Sequence, residues 1–268
     1  MNDPNLNRYD LLNARILCGA SADAYGPFPS GEMIESGESD THAMIVRTAT
    51  DLFLVFRGTT DLRNWLTDID CACDLEDGCK IHRGFSRALD SVFSRITAEI
   101  LRPGYKNLRF WLAGHSLGGA LAMLYAWRFF TAYHQMIFSG IYTFGQPRVG
   151  DRSFRDLYDF SGLKARTFRV VHANDIVCRV PWLLGSYRHA GHEVFYPTVG
   201  RDSSTASGAS PGRADFEPMI DSSLLSKLPW DIRNAWRELA RDKVALVADH
   251  HIDTYLRLFF PTAAGEGT

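Results

Sequence analysis

The chain has 268 residues, of which 46% are apolar and 22% are charged, and its formal net charge is −2. This length and balance are typical of one globular α/β domain with a substantial core. The near-neutral charge excludes an electrostatic footprint for nucleic acid or for an anionic membrane, so contact with lipid would depend on apolar surface.

The start of the chain, MNDPNLNRYD, is polar and predicts no signal peptide. No apolar run approaches the ~18 residues of a membrane-spanning helix. The cysteines are odd in number, which predicts reduced thiols rather than a complete disulfide framework: Cys18, Cys71, Cys73, Cys79 and Cys178. The three in the middle lack a nearby histidine pair, which disfavours a zinc site. We therefore expect a protein of the cytoplasm, or one exported by a non-classical route.

Hydrophobic patterning predicts strands alternating with helices. The first predicted helix, Asn7 to Tyr25, has Leu11, Leu12, Ile16 and Leu17 near one face. The elements that follow are strands AMIVRT and LFLVF between Thr41 and Arg57, a helix at Phe85–Leu101, a strand at Leu108–Ala113, a helix at Leu117–Tyr133, a strand at Gly140–Phe144, a short helix at Asp151–Phe160 and a strand at Arg166–His172. This alternation predicts an α/β fold with a mainly parallel sheet covered on both faces.

The stretch Gly200 to Ala214 is small and polar, and it predicts a mobile loop. Helical patterning returns from Asp215 to Val247, and the chain ends after the motif ADHHIDTY. We interpret residues of about 200–246 as an insertion within a single domain that spans residues 1–268.

The segment Gly114-His115-Ser116-Leu117-Gly118 has the pattern Gly-x-Ser-x-Gly between a predicted strand and a predicted helix. Such a turn holds a serine hydroxyl at the carboxyl end of a sheet on a strained backbone, and glycines are needed where side chains would collide with the neighbouring strand and helix. The alternative is a glycine-rich helix start with a serine N-cap. Because the strand, the helix and a third glycine are all present, the pattern favours Ser116 as a nucleophile.

A serine hydroxyl needs a base, and in such folds an acid and then a histidine follow the serine on loops after strands. Asp175 follows the predicted strand RTFRVVH, as the acid should. Three other aspartates follow no predicted strand: Asp156, Asp159 and Asp202. Four histidines come later: His189, His192, His250 and His251. The first two leave little chain for the return, so the pair that precedes the helical pattern IDTYLRLF is favoured.

Acyl transfer also requires donors for an oxyanion. One is the N–H of Leu117, the residue after the nucleophile, and the other is expected in the loop after an earlier strand. The sequence LFLVFRGTT provides this loop, in which Gly58 lets the backbone turn so that the Thr59 N–H faces inward.

An amphipathic segment, TDLRNWLTDID, follows this loop directly. Its apolar positions have helical spacing: Leu62, Trp65, Leu66 and Ile69. Such a pattern commonly marks a helix packed on the core. Its position beside the oxyanion loop favours a lid over about residues 60–74, which would cover the site in water and turn outward onto an oil surface.

Six motifs in order resemble the class 3 lipases, the family of the filamentous-fungal triacylglycerol lipases with an α/β-hydrolase fold: VFRGTTDLRNWLTDI, IHRGF, GHSLGGALA, YTFGQPRVGD, HANDIVCRVP and YRHAGHEVFY. The likeness runs from about Tyr9 to Tyr196 and resumes at Val247 to Leu258. It departs from the fungal enzymes in lacking a secretion signal, evident disulfide pairs and a counterpart for residues 200–246.

The resemblance implies that Ser116 is the nucleophile, Asp175 the acid and His250 the base. His250 is preferred because family members often have Asp-His followed by Tyr five residues after the histidine, as in Asp249, His250 and Tyr255. It also matches Thr59 and Leu117 to the oxyanion donors and Trp65 to the lid.

The predicted function is a serine carboxylic ester hydrolase, foremost a triacylglycerol lipase, acting as a monomer on lipid esters at an oil–water interface without metal or cofactor. Feruloyl esterase, phospholipase A1 or short-chain esterase activity on the same scaffold is the alternative, and a peptidase or acyltransferase would use the same triad. A catalytically inactive binding module is the alternative from another class, although no triad member is missing.

Overall fold

The computed structural model of the protein describes residues 8–27, 31–61, 72–133, 138–173, 175–181, 187–197 and 249–260. Along these ranges the helices and strands are α1 (Leu11–Asp23), β1 (Glu32–Ser36), β2 (Thr41–Arg47), β3 (Asp51–Phe56), β4 (Cys73–Glu76), β5 (Cys79–His82), α2 (Arg83–Ile100), β6 (Arg109–His115), α3 (Leu117–Tyr133), β7 (Phe138–Phe144), β8 (Gly150–Asp151), α4 (Arg152–Phe160), β9 (Thr167–His172), β10 (Tyr187–Arg188), β11 (His192–Tyr196) and α5 (Ile252–Phe259).

The main sheet has seven strands in the order β1-β2-β3-β6-β7-β9-β11. β1, β2 and β3 are joined by antiparallel pairing, and every pairing from β3 to β11 is parallel. The carboxyl ends of β3, β6 and β9 therefore meet at one edge of the sheet, where ligands of open α/β sheets bind. A smaller sheet with antiparallel pairing, in the order β10-β8-β5-β4, lies beside it.

Alternate side chains along the central strands enter two separate cores. On one face, Leu52, Leu54 and Phe56 of β3 join the cluster that contains the buried sides of α2, α3 and α4. On the other face, Val55 of the same strand joins the cluster that contains α1 and α5. The expected mainly parallel sheet with helices on both faces is therefore confirmed.

The helix α3 is buried along most of its length, because it lies on the sheet and is covered in turn by α2. Its polar exception is Arg128, which pairs with Glu76 at 2.6 Å and with Asp90 at 2.7 Å. This network satisfies a cation that would otherwise be costly to bury, and it fixes the helix that begins at the serine turn.

One sequence expectation for α1 is wrong. Leu17 is buried, but Leu11, Leu12 and Ile16 are exposed. The face that packs inward has the helical spacing of Ala14, Leu17, Cys18 and Ser21. Most residues on this face are small, so the helix approaches the sheet and α5 closely. The helix packs through this face and leaves the larger side chains Leu11, Leu12 and Ile16 on its exposed face.

The lid residues Leu62, Trp65, Leu66 and Ile69, and the predicted insertion at about 200–246, lie outside the described residues. Cys73 and Asp74, at the end of the expected lid range of about 60–74, belong to β4. Among the described residues, no helix is long and apolar enough to cross a membrane.

Candidate active site

The serine turn lies at the carboxyl end of β6. Ser116 stands between the end of β6 and the start of α3, and its φ of 58° is in the left-handed region that L-residues seldom adopt. Its amide N–H donates to the carbonyl oxygen of Phe144 at the end of β7 (2.9 Å). The strained turn predicted from the sequence is present, and it aims the hydroxyl away from the sheet.

The glycines around Ser116 are required by space. A Cβ at Gly114 would lie 2.3 Å from the carbonyl carbon and oxygen of Gly118. A Cβ at Gly118 would lie 2.1 Å from the carbonyl oxygen of Phe56, where β3 ends. Both contacts are with backbone, which has no freedom to move aside, so the predicted steric reason for the Gly-x-Ser-x-Gly spacing is confirmed.

The structure brings Asp175 and His250 together. His250 Nδ1–H donates to Asp175 Oδ2 over 2.8 Å, and both side chains are almost completely buried. Asp175 follows β9 as predicted, and its Oδ1 accepts the N–H of Val177 at 2.8 Å, which fixes the carboxylate in its loop. The pairing fixes the imidazole tautomer, with the proton on Nδ1 and the lone pair on Nε2.

Tyr255 of α5 completes the surroundings of the carboxylate. Its hydroxyl donates to Asp175 Oδ2 at 2.6 Å and accepts the backbone N–H of His172 at 3.2 Å. Burial alone would raise the pKa of Asp175, but the adjacent His250 and the hydrogen bonds from His250, Tyr255 and Val177 hold that pKa below its usual value. Asp175 is therefore a carboxylate at neutral pH despite its burial.

His115, the residue before the serine, holds the backbone of His250. Its Nε2 lies 2.7 Å from the carbonyl oxygen of His250, and its Nδ1 lies 2.8 Å from the hydroxyl of Tyr25. The two imidazole rings stack with centroids 4.6 Å apart. Burial, and then the proximity of His250, lower the pKa of His115 to about 3. The neutral ring must donate from Nε2 to the carbonyl oxygen, so its Nδ1 accepts from Tyr25.

Two buried polar atoms of the site have no hydrogen-bond partner. Within the described part of the chain, Ser116 Oγ and His250 Nε2 are both buried and both lack a hydrogen bond. Both residues line a cavity of about 450 Å³, which is also bordered by Thr59, His115 and Tyr25. Nine buried side-chain atoms in the described residues lack a partner, and of the residues that carry them only Ser116 and His250 line this cavity. These two atoms are the hydroxyl and the ring nitrogen that a nucleophile and its base require.

The oxyanion loop follows β3 and reaches the same cavity through Thr59. Gly58 is needed here for lack of space rather than for an unusual backbone angle, because its φ is not in the left-handed region. A Cβ there would lie 2.0 Å from the Tyr25 hydroxyl and 2.7 Å from the carbonyl oxygen of His115. Leu117 begins α3, where the first backbone N–H groups have no intrahelical acceptor.

The competing sequence candidates in the described ranges have other contacts. His189 Nε2 is hydrogen-bonded to the carbonyl oxygen of Cys178. His192, in β11, stacks on Phe168 of β9. His251 lines the cavity but is the exposed N-cap residue of α5. Asp156 and Asp159 pair with cations of the α4 region, and Asp202 lies outside the described residues. Among the candidates in the described ranges, His250 and Asp175 are the pair that meets at the serine turn.

Sequence reasoning missed three residues of the site: Tyr25, His115 and Gly145. Gly145 has a φ of 61°, and a Cβ there would lie 2.7 Å from His250 Cε1 and 2.8 Å from Asp175 Oδ2. A signal was available for two of them, because His115 occupies the variable position of Gly-x-Ser-x-Gly and Gly145 follows a predicted strand. Tyr25 had no signal, because its hydroxyl reaches the site only through tertiary packing.

Across the ranges the structure describes, no group of three or more His, Cys, Asp or Glu side chains is arranged to hold a metal ion. Cys73 and Cys79 are free thiols, and Cys71 lies outside these ranges.

Comparison with known proteins agrees with this geometry. Residues 53–184, about half of the chain, match the family Lipase (class 3). The chain is 34% identical over 163 residues to a lipase of Rhizomucor miehei, and the match covers 58% of this chain and 44% of that protein. It is 33% identical over 150 residues to secreted mono- and diacylglycerol lipase 1 of Fusarium solani, covering 53% of this chain and 43% of that protein. The match thus spans less than half the length of these relatives.

One solved structure is similar to this protein over a larger share of both chains. It has a TM-score of 0.57 and 28% identity, covers 71% of this chain and 78% of its own, and is described as a triacylglycerol lipase whose catalytic centre is formed by a serine protease triad. The family match, the relatives and the shared α/β-hydrolase architecture place the segment 53–184 of this chain in the class 3 lipase family.

Proposed function

We propose that the protein is a serine carboxylic ester hydrolase of the triacylglycerol lipase class, with Ser116 as nucleophile, His250 as base and Asp175 as acid. The observation that carries the proposal is the buried Asp175–His250 pair, whose free Nε2 lines the same cavity as the strained, unpartnered Ser116 hydroxyl. The triad attributed to the related triacylglycerol lipase supports the same assignment.

The geometry suits acyl transfer by the serine-histidine-aspartate mechanism. His250 Nε2 takes the Ser116 proton as Oγ attacks the ester carbonyl, and the imidazolium that forms is stabilised by the ionised Asp175. The N–H groups of Thr59 and Leu117 are the proposed donors to the oxyanion, each worth roughly 3 kcal/mol in the transition state. His250 then protonates the leaving alcohol, and water repeats the sequence on the acyl-enzyme.

The first experiment compares wild type with Ser116→Ala and with Ser153→Ala, a matched change at an exposed serine of α4. Hydrolysis of tributyrin is followed by titration of the released acid. We expect Ser116→Ala to lose at least about 10³-fold in rate and Ser153→Ala to keep the wild-type rate. A Ser116→Ala variant with the wild-type rate would refute the proposed nucleophile.

We also propose a lid over the segment that follows Thr59, with Leu62, Trp65, Leu66 and Ile69 on its apolar face; the support is the amphipathic sequence pattern alone. A lid predicts that the rate on tributyrin rises abruptly when substrate exceeds its solubility limit, and that emulsified triolein is hydrolysed. A rate that saturates on dissolved short esters, without action on triolein, would argue for an esterase without interfacial activation.

We further propose that the protein acts as a monomer in a reducing compartment, with the cytoplasm as the first candidate. Four of its cysteines lie in the described ranges, and all four are free thiols: Cys18, Cys73, Cys79 and Cys178. Thiol alkylation of the unreduced, denatured protein would label all five cysteines if this is correct, and sedimentation would give the mass of one chain.

A further inference from the structure

A thiol lies against the carboxylate of the candidate triad. Cys178 is buried in a short 3₁₀ turn, Val177–Arg179, and its Sγ–H donates to Asp175 Oδ2 over 3.5 Å. Because sulfur is a larger atom than oxygen, this separation is a contact distance for a thiol donor. No step of the proposed mechanism involves this thiol.

The thiol keeps its proton, so it is a donor rather than a second anion. Burial, and then the adjacent carboxylate of Asp175, raise the pKa of the Cys178 thiol well above its ordinary value, and Arg169 of β9 offsets this only in part. The backbone of Cys178 is also held, because its carbonyl oxygen accepts a hydrogen bond from His189 Nε2 at 2.6 Å. Burial keeps the pKa of His189 well below its ordinary value, so that ring is neutral and its proton lies on Nε2.

Three side chains donate to one oxygen of this carboxylate. Asp175 Oδ2 accepts His250 Nδ1–H at 2.8 Å, the Tyr255 hydroxyl at 2.6 Å and the thiol at 3.5 Å. A carboxylate oxygen has about two lone-pair sites, so three donors compete for its negative charge, and S–H is the weakest of them. The thiol therefore draws off a small part of the charge that would otherwise act on His250.

We propose that Cys178 is a positioning residue of the triad, which acts through Asp175 by holding the carboxylate oxygen that faces His250 and moderating its attraction for the imidazolium. The inference rests on the proposed function and deepens it. Without the S–H donor, more of the charge on Oδ2 acts on His250. The hydrogen bond from Nδ1–H to Oδ2 should then strengthen, and the imidazolium should persist to a higher pH.

Other titratable groups surround the base. His115, at the end of β6, stacks on the His250 ring, and His251 borders the same cavity with an exposed side chain. Tyr255 of α5 touches the thiol, with 3.9 Å between its hydroxyl oxygen and Sγ, but that hydroxyl donates to Asp175. All three groups are retained when the thiol is replaced, so the replacement isolates the S–H donor.

The first measurement is the proton NMR resonance of Nδ1–H of His250, which moves downfield as its hydrogen bond strengthens. Cys178→Ala removes the donor and leaves a small void, whereas Cys178→Val removes the donor and fills the space. Cys79→Ala is the matched control, because Cys79 is a buried thiol of β5 that donates to the carbonyl oxygen of Glu76 at 3.0 Å. We expect a downfield shift in both Cys178 variants and no shift in the control.

The second measurement is the pH profile of kcat/KM on p-nitrophenyl butyrate, whose acid side reports protonation of the base in the free enzyme. The midpoint of that side should move to higher pH by roughly 0.3–0.7 units in both Cys178 variants, as expected for loss of a weak hydrogen bond to a charged group. Cys79→Ala should keep the wild-type midpoint.

A resonance or a midpoint that stays unmoved in the folded Cys178 variants would overturn the inference. A movement in only one of the two variants would also overturn it, because packing rather than the donor would then be the cause. Failure of the proposed function has a different result: Ser116→Ala would hydrolyse the ester at the wild-type rate, while the resonance would still report the contact between the thiol and the carboxylate.

Discussion

Gly145 offers a direct test of how closely the site is packed around the proposed base. In Gly145→Ala the new Cβ would lie 2.7 Å from His250 Cε1 and 2.8 Å from both His250 Nδ1 and Asp175 Oδ2. Ordinary carbon contacts are about 3.5–4.0 Å, so the imidazole would have to move by roughly 0.8 Å or more. The ring has little freedom, because Asp175 holds Nδ1 and His115 holds the backbone carbonyl.

The expected result is a loss of about 10²-fold in kcat, because a displacement near 1 Å is enough to misplace a reacting group. Alanine at the φ of 61° adds a backbone cost of about 1–2 kcal/mol to the free energy of folding. Gly162→Ala isolates that backbone cost, since Gly162 has a φ of 89° and no atom within 4 Å of its built Cβ.

The assay measures kcat on a soluble ester together with urea unfolding for both variants. Both should lose stability, and only Gly145→Ala should lose activity. If folded Gly145→Ala keeps kcat within threefold of wild type, the base does not occupy the position described, and the reasoning from the close contact fails. Equal activity losses in the two variants would attribute the effect to backbone strain alone.

Three further changes probe the same site. Tyr255→Phe should cost about 1.5–3 kcal/mol at pH 7 in urea unfolding, because a hydrogen bond to ionised Asp175 is lost. Since Asp175 has a lowered pKa, this deficit should shrink as pH falls through that pKa, and a constant deficit would contradict it. His115 is neutral in the folded protein, with a pKa of about 3, whereas an unfolded histidine is protonated below about pH 6.5. As pH falls from about 6.5 to about 3, this ring should therefore lower the free energy of unfolding of wild type by up to about 1.4 kcal/mol per pH unit. His115→Gln should flatten that slope, and an unchanged slope would contradict the buried neutral ring. Gly118→Ala should lower the yield of folded protein, judged by circular dichroism, because its Cβ would lie 2.1 Å from a backbone oxygen of β3; a stably folded, active variant would show that the turn has more room.

Local patterns in the sequence were sufficient for much of the fold. The strand and helix around Ser116 were predicted well, because a long buried helix and a hydrophobic strand leave strong periodic signals. The mainly parallel sheet also followed from the alternation of strands with helices. The hairpin of β4 and β5 was missed, although its turn residues Asp77 and Gly78 both have positive φ and form the Asp-Gly pair typical of two-residue hairpins.

The short strands and the site's supporting contacts were harder to predict for a physical reason. β8 and β10 have two residues each and are defined by the partner that pairs with them, so no period is available in the sequence. The contact of Tyr25 with His115 depends on how α1 packs against the sheet, and no local pattern in the sequence specifies that packing. Tertiary packing decided both cases.

The neutral state of His115 matters for how the site is assembled. The oxyanion loop and His250 come from distant parts of the chain, and the His115 ring links them. On one side, its partner Tyr25 has a hydroxyl that packs against Gly58 of the loop. On the other side, the carbonyl oxygen of His250 accepts the hydrogen bond from Nε2–H of the ring. In a protonated ring Nδ1 would donate, so the hydrogen bond with the Tyr25 hydroxyl would have to reverse its direction. With a pKa of about 3, His115 stays neutral and keeps one tautomer at neutral pH. The loop and the base are therefore held in fixed relation by a ring that does not change its charge there.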